Sequence, residues 1–345
     1  MHKIRLSATL FILFLSIKVT AQDIQFSQFY AAPLYLNPAF AGSTLQARAG
    51  LNYRNQWPAI NANFITYSAF FDYHFEDYNS GIGLLLSQDS EGMAGLSSTS
   101  ASAIYSYLLY LTDKIAFKPG FQAGYTYRSI NFTRLTFGDQ FDPVTGELVS
   151  PSSGEQFNTG FSKGFLDLST GGVLFTKTLW LGVGYHHLTK PQQSLLSEND
   201  RLPRKLSIHG GIKFYLDDAS RSDYSTAPER SLTPTFQFKH QGPFDQLDLG
   251  LYYTMEPIIF GVWYRGVPFK NIAGHINNES LVFLIGMTKK GADDELNIGY
   301  SYDFTISGLG ASSGGAHEFS LSYSWPMRDP RKPPRDVMFI PCPRF

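Results

Sequence analysis

Two adjacent histidines, His186 and His187, are the first residues whose types suggest chemistry, because clustered imidazoles bind metal ions. The stretch around them reads as a strand. There, neighbours i and i+1 point to opposite faces, so the pair cannot share one ion. His74, His209, His240 and His275 fall on separate segments, with neither CxxC nor HExxH spacing. Gly308-Leu309-Gly310 and Gly314-Gly315 suggest a phosphate cradle, but position 313 is serine and the glycines read as a hairpin loop rather than a strand-to-helix turn. Neither a GxSxG elbow nor a P-loop is present. A serine and a histidine dispersed over a barrel wall, as in outer-membrane phospholipases, would escape such a reading. Cys342 is the single cysteine, so it forms no internal disulfide; it is a packed or solvent-side thiol, or else one that pairs between molecules or is modified. These residues name no catalytic, cofactor-binding or metal centre, and the chain reads as non-enzymatic.

The elements that would position side chains are strands. From Phe64 to Phe75 one face carries Ile65, Tyr67, Ala69, Phe71, Tyr73 and Phe75, and the other carries Thr66, Ser68, Asp72 and His74, with Phe64 and Phe70 as exceptions. Leu296, Ile298, Tyr300, Tyr302 and Phe304 alternate with Asn297, Gly299, Ser301 and Asp303, and Phe319, Leu321, Tyr323 and Trp325 alternate with serines. A period of two over about ten residues is a strand with one apolar and one polar face. About fourteen such segments occur between residues 44 and 325. They predict an all-β, transmembrane, antiparallel outer-membrane β-barrel with Tyr67 and Phe71 toward lipid and Asp72, His74, Arg265, Asn297 and Asp303 toward the lumen. Aromatic residues make up 15% of the chain, enough to furnish interfacial girdles. A net charge of −1 argues against nucleic acid as a partner.

Both ends depart from this pattern. Residues 1–21 read as a signal peptide, with Lys3 and Arg5 ahead of an apolar run too short to span and Val19-Thr20-Ala21 at the cleavage site. Residues 22–43 hold Pro33, Pro38 and many aromatics without any period. They are too apolar for disorder and are expected to pack in or on the barrel. Residues 326–345 form a basic, proline-rich tail, placed in the periplasm by an even strand count. Arg331, Lys332 and Arg335 would guide a partner and Phe339 and Phe345 would anchor it; the competing reading folds the tail back into its own barrel. In a barrel with short periplasmic turns, connections after odd strands are the long ones. The connections at 217–230 and around Gly242 break that rule, and 267–279 is read as an outer loop.

Several segments resemble the PorP/SprF family of type IX secretion membrane proteins. Residues 22–43, QDIQFSQFYAAPLYLNPAFAGS, follow a Q-x-x-x-F-S-Q-x-Y…P-L-x-L-N-P-A-x-A-G pattern. NYRNQW at 52–57, FGDQ at 137–140, HLTKP at 187–191, GVWYR at 261–265, GYSYDFT at 299–305, HEFSL at 317–321 and PCPR at 341–344 agree in order, while FLDLSTG at 165–171 lacks the expected Asp-Phe-Ser form. The resemblance implies an outer-membrane component of type IX secretion. Its implied partners are outer-membrane lipid, periplasmic ring proteins and cargo with C-terminal signals, and no cofactor is implied. The alternatives are a small-molecule channel and a lipid-modifying barrel enzyme.

Overall fold

A computed structural model describes residues 23–44, 46–60, 64–92, 95–130, 136–150, 153, 161–195, 200–217, 228–272, 275–291, 293–308, 310–327 and 338–343. Among these, fourteen antiparallel strands form one sheet that closes on itself. They are β1 (Ala47–Gln56), β2 (Phe64–Phe75), β3 (Ser80–Glu91), β4 (Leu96–Tyr107, resumed at Leu109–Thr112), β5 (Ile115–Ser129), β6 (Ser162–Phe175) and β7 (Leu179–His186). They continue with β8 (Lys205–Ile212, resumed at Phe214–Tyr215), β9 (Arg230–Gln241), β10 (Phe244–Met255), β11 (Ile258–Ile272), β12 (His275–Lys290), β13 (Glu295–Thr305) and β14 (Ala316–Trp325). Each strand pairs with the next, and β14 returns to β1 with Trp325 opposite Ala47 and Ala316 opposite Gln56. Closure removes the unpaired edges that an open sheet of this length would expose.

The alternation settles which face is which. On β2, Thr66, Ser68, Phe70, Asp72 and His74 are buried, whereas Tyr67 is 52% exposed. Leu51, Leu84, Val262 and Phe283 each expose half or more of their surface, and they sit on the outside of the sheet. A belt of large exposed apolar side chains is lethal to a water-soluble protein and natural for one whose solvent is lipid. No helix is long and apolar enough to cross a membrane, which says nothing against strands. Phe70, an apolar residue on the polar face, is buried in the lumen with the Arg48 guanidinium 5.4 Å from its ring centre.

Connections differ from expectation at two places. Residues 267–279 are not a loop: β11 and β12 run on to Ile272 and His275 as a long hairpin with a shifted register after Arg265. The short turn around Gly242 is a real feature, since β9 turns into β10 directly at Gln241–Phe244; residues 218–227 of the other rule-breaking connection lie outside the described residues. Residues 1–22 lie outside the described residues.

The barrel is not hollow. Residues 23–42 run through the lumen, from the end where β7 stops to the end where β1 starts, with one helical turn at Pro33–Leu36 and a 3-10 turn at Pro38–Phe40. Phe29, Tyr30, Leu34, Leu36, Ala39 and Phe40 are all buried. Burying each large side chain contributes about 1.5–3 kcal/mol. Ile340 joins the same apolar cluster, with Met338 and Cys342 packed against it.

Candidate functional site

Three grips hold the lumenal segment. The first is a polar clasp around Ser27 and Gln28. Glu318 on β14 receives both backbone N–H groups, Ser27 at 2.7 Å and Gln28 at 2.9 Å, one on each carboxylate oxygen. The Ser27 hydroxyl donates to Asp303 at 2.6 Å and accepts from Arg54 at 2.8 Å and Arg265 at 3.0 Å, so all its hydrogen-bonding capacity is used. Arg54 pairs with Asp303 (2.8 Å) and Glu318 (3.1 Å), and Arg265 pairs with Asp303 (3.0 Å) and Asp248 (3.1 Å). Lys239 lies 4.0 Å from Asp248. Every one of the two arginines and three carboxylates has 4% or less of its side chain exposed. Ions so buried are tolerable only because each is matched and hydrogen-bonded. Gln28 completes the clasp by donating to the Glu318 carbonyl and accepting from Ser320.

The second grip is steric. Asn37 caps the 3-10 turn by accepting from Ala39 N–H, and its amide donates to the carbonyl of Val183 at 3.1 Å. Beyond it the segment lies on bare glycine. A Cβ at Gly120 would come within 2.5 Å of the Pro38 carbonyl carbon and closer still to Ala39 N, and one at Gly81 would overlap the Ala41 carbonyl. No side chain but hydrogen fits between two backbones this close. Gly42 N–H then donates to Asp72, itself paired with Arg48 at 2.8 Å, and the Lys118 ammonium donates to the Gly42 carbonyl at 2.9 Å.

The third grip is ionic and sits at the opposite end. His187 stands 2.7 Å from both Asp23 and Asp167, one carboxylate on each ring nitrogen, and Lys205 is 2.7 Å from Asp23. Burial alone would raise the Asp23 carboxyl, but His187 and Lys205 hold it well below the usual carboxylate range. Burial alone would lower His187, but Asp23 and Asp167 raise it to about 9. Both imidazole nitrogens are therefore committed, and neither is available to activate a serine.

His187 also corrects a reading made from the strand pattern. It lies just past β7 with φ of 58°, so the chain has left strand geometry and His186 and His187 border the same cavity. Their ring centres are 6.3 Å apart, and no group of three or more metal-ligating side chains is assembled among the described residues. Of the residues proposed for partner binding, Arg331, Lys332, Arg335 and Phe345 lie outside the described residues, and Phe339 is 43% exposed.

The residues of the clasp and of the ionic grip come from segments that look unrelated along the chain. Arg54 lies in NYRNQW, Arg265 in GVWYR, Asp303 in GYSYDFT, Glu318 in HEFSL, His187 in HLTKP, and Ser27 and Gln28 in FSQ. All of them close on the lumenal segment. Sequence reading placed Arg265 and Asp303 in the lumen but did not connect them, because their partners are up to 276 residues away.

A comparison with curated proteins finds no match. Among solved structures, the chain is similar to the toluene transporter TodX of P. putida at 12% identity, covering 85% of this chain and 93% of that one with a TM-score of 0.46. It is similar to Omp33 of Acinetobacter baumannii at 7% identity, covering 82% and 98% with a TM-score of 0.43. A FadL homologue of Pseudomonas aeruginosa gives 12% identity, 84% and 94% coverage and a TM-score of 0.42. The family model described as "Type IX secretion system membrane protein PorP/SprF" matches residues 18–323. That span takes in the whole lumenal segment and the barrel strands up to the last two residues of β14, and on it the chain belongs to the PorP/SprF family of type IX secretion system membrane proteins.

Proposed function

We propose that this protein serves type IX secretion in the outer membrane as a non-enzymatic scaffold or cargo carrier. In this reading it engages cargo proteins with C-terminal signals, such as gliding adhesins, and periplasmic ring components, and it reaches the membrane by way of an N-terminal signal peptide. The observation that carries the reading is the occupied lumen: a barrel whose interior is threaded by its own residues 23–42, gripped at three levels, is built to present surfaces rather than to pass solute. The tail at 326–345 is the candidate docking peptide, with Arg331, Lys332 and Arg335 as guides and Phe339 and Phe345 as anchors.

Deleting the gene and comparing the secreted proteome tests the function. Loss of particular surface proteins, with small-solute uptake unchanged, supports it; an intact secreted proteome with altered uptake favours the channel reading. The docking role needs a gentler change than truncation, because Ile340 is part of the buried cluster. Charge reversal of Arg331, Lys332 and Arg335 together with Phe339→Ala leaves Ile340 in place. It should reduce co-purification of periplasmic partners, and full retention of them refutes the role.

A further inference from the structure

The barrel wall is uneven at the end where β7 stops. β7 pairs with β6 only from Thr170 to Phe175, and one further bond, from Leu188 N–H to the Leu168 carbonyl at 2.9 Å, ends the ladder. β6 runs on past that point to Ser162, held on its other side by β5, where Ser129 lies opposite Ser162. Over Ser162–Leu166 the strand therefore has a paired neighbour on one side alone among the described residues.

The backbone groups of a strand point alternately to its two neighbours. The Phe161 carbonyl accepts from Ile130 N–H on the β5 side, and the Leu168 carbonyl faces the β7 side. That parity turns Lys163, Phe165 and Asp167 toward β5, and Ser162, Gly164 and Leu166 toward the gap. The latter three direct three N–H and three C=O groups into it, with no partner among the described residues. Open sheet edges are not tolerated in hydrocarbon, so these groups meet either water or another backbone. No proline, bulge or outward charge blunts the edge. Leu166 is 70% exposed, and the exposed rings of Tyr125 and Tyr127 stand beside it on β5. On the inner face Phe165 and Asp167 border the cavity next to His187. The cavity wall holds one carboxylate more than its cations, and Lys163, on the same inner face of β6, makes up the difference.

We propose that Ser162–Leu166 is a docking edge that takes one extended segment of a partner protein, antiparallel to β6, with apolar side chains outward beside Leu166 and uncharged polar ones inward. Only an extended backbone repeats donors and acceptors at the spacing of the edge. The same edge of a second copy cannot fill the gap. Antiparallel pairing of two β6 strands would invert one barrel in the membrane, and parallel pairing would drive the copy's β6 into β7. The docked segment is short for the same reason: β7 closes the gap beyond Leu168, so the segment is a chain end or one arm of a hairpin. The proposal does not rest on the secretion reading.

The test uses the full chain in lipid nanodiscs and a capped heptapeptide of alternating valine and threonine, with a terminal lysine pair for solubility. Amide hydrogen exchange is read residue by residue by NMR. Saturating peptide should slow exchange at Ser162, Gly164 and Leu166 by about tenfold or more, and leave Lys163, Phe165 and Asp167, already bonded to β5, unchanged. Leu166→Pro removes a gap-facing N–H and spares the bonds to β5. It should weaken the peptide about fivefold or more, while Leu84→Ala on the lipid face has no effect. Should Leu166→Pro fail to assemble, the same peptide with N-methylated valines makes the test on the unaltered chain, and it should not bind. Absence of saturable slowing at the three amides overturns the proposal, as does equal binding by the N-methylated peptide. Slow exchange at all three before peptide is added also overturns it, since the edge is then filled by the chain itself or by a second copy.

Discussion

Replacing Arg54 by methionine isolates the energy of the clasp. The side chain donates to Ser27, Asp303 and Glu318, and 3% of it is exposed. Methionine keeps much of the packing volume and removes the charge. Asp303 would retain Arg265, but Glu318, also fully enclosed, would lose its only paired cation among the described residues. Removing one partner of a buried pair costs about 3–5 kcal/mol, since the other charge is left in a medium that cannot solvate it. Referred to docking of residues 23–42, that is a shift of about a hundredfold or more in the docked-to-undocked ratio. The double variant Arg54→Met/Glu318→Met removes the orphaned charge. It should be less damaging than the sum of the single variants by about 1–3 kcal/mol. It should not be harmless, because the Ser27 and Gln28 N–H groups lose their acceptor. The assay is limited proteolysis of the full chain in lipid vesicles, followed at residues 23–42, alongside the thermal midpoint of the barrel. Wild-type protection in Arg54→Met, or strict additivity in the cycle, refutes the argument that the ions act as one unit.

Other expectations follow from the same geometry. Gly120→Val should displace residues 38–40 and expose the segment to protease while the sheet persists, as read by circular dichroism; unchanged protection would mean the close approach is not what seats it. Tyr67→Arg should impair membrane assembly by about 2–4 kcal/mol at mid-depth, whereas Ser98→Arg, which faces the polar cavity, should assemble; equal assembly contradicts the face assignment. The ionic grip should depend on pH. His187, raised to about 9, contributes fully below its ordinary value near 6.5 and loses its contribution as pH rises through about 9. Asp23, held low, contributes above about 4 and loses it as pH falls through its depressed value. Protection of residues near Asp23 should thus be greatest between those limits and weaken above pH about 9, and His187→Gln should flatten the alkaline limb. A profile unchanged by His187→Gln would show that Lys205 alone holds Asp23.

The strands were legible because a sheet with lipid on one side and polar contacts on the other imposes a period of two on every segment, and Ile65 to Phe75 states it plainly. Phe70 broke the pattern for a reason that lies off its own strand: the lumen is lined partly by the apolar side chains of residues 23–42, so an apolar lumenal residue is at home there. The aromatic content of residues 22–43 indicated packing, but the route through the lumen was not readable, since the glycines that admit it, Gly81 and Gly120, are spread over different strands. The extension of β11 and β12 past residue 266 was missed because Gly266 and Pro268 look like a loop, while the hairpin absorbs them through a register shift. His187 was assigned to a strand face it does not occupy because a single positive φ has no signature in a histidine.

Arg54 and Glu318, which hold Ser27 from two sides, are also directly opposite each other in the ladder between β1 and β14. The first and last strands of the barrel therefore meet where the lumenal segment is held. Parting them sideways would break the clasp, and lifting the segment out would remove bonds that bridge the two strands. Whether the wall is closed and whether the interior is occupied become one variable rather than two. A partner that pulled residues 23–42 from the lumen would at the same stroke loosen the wall toward the lipid, and a barrel held shut at this junction would keep its contents.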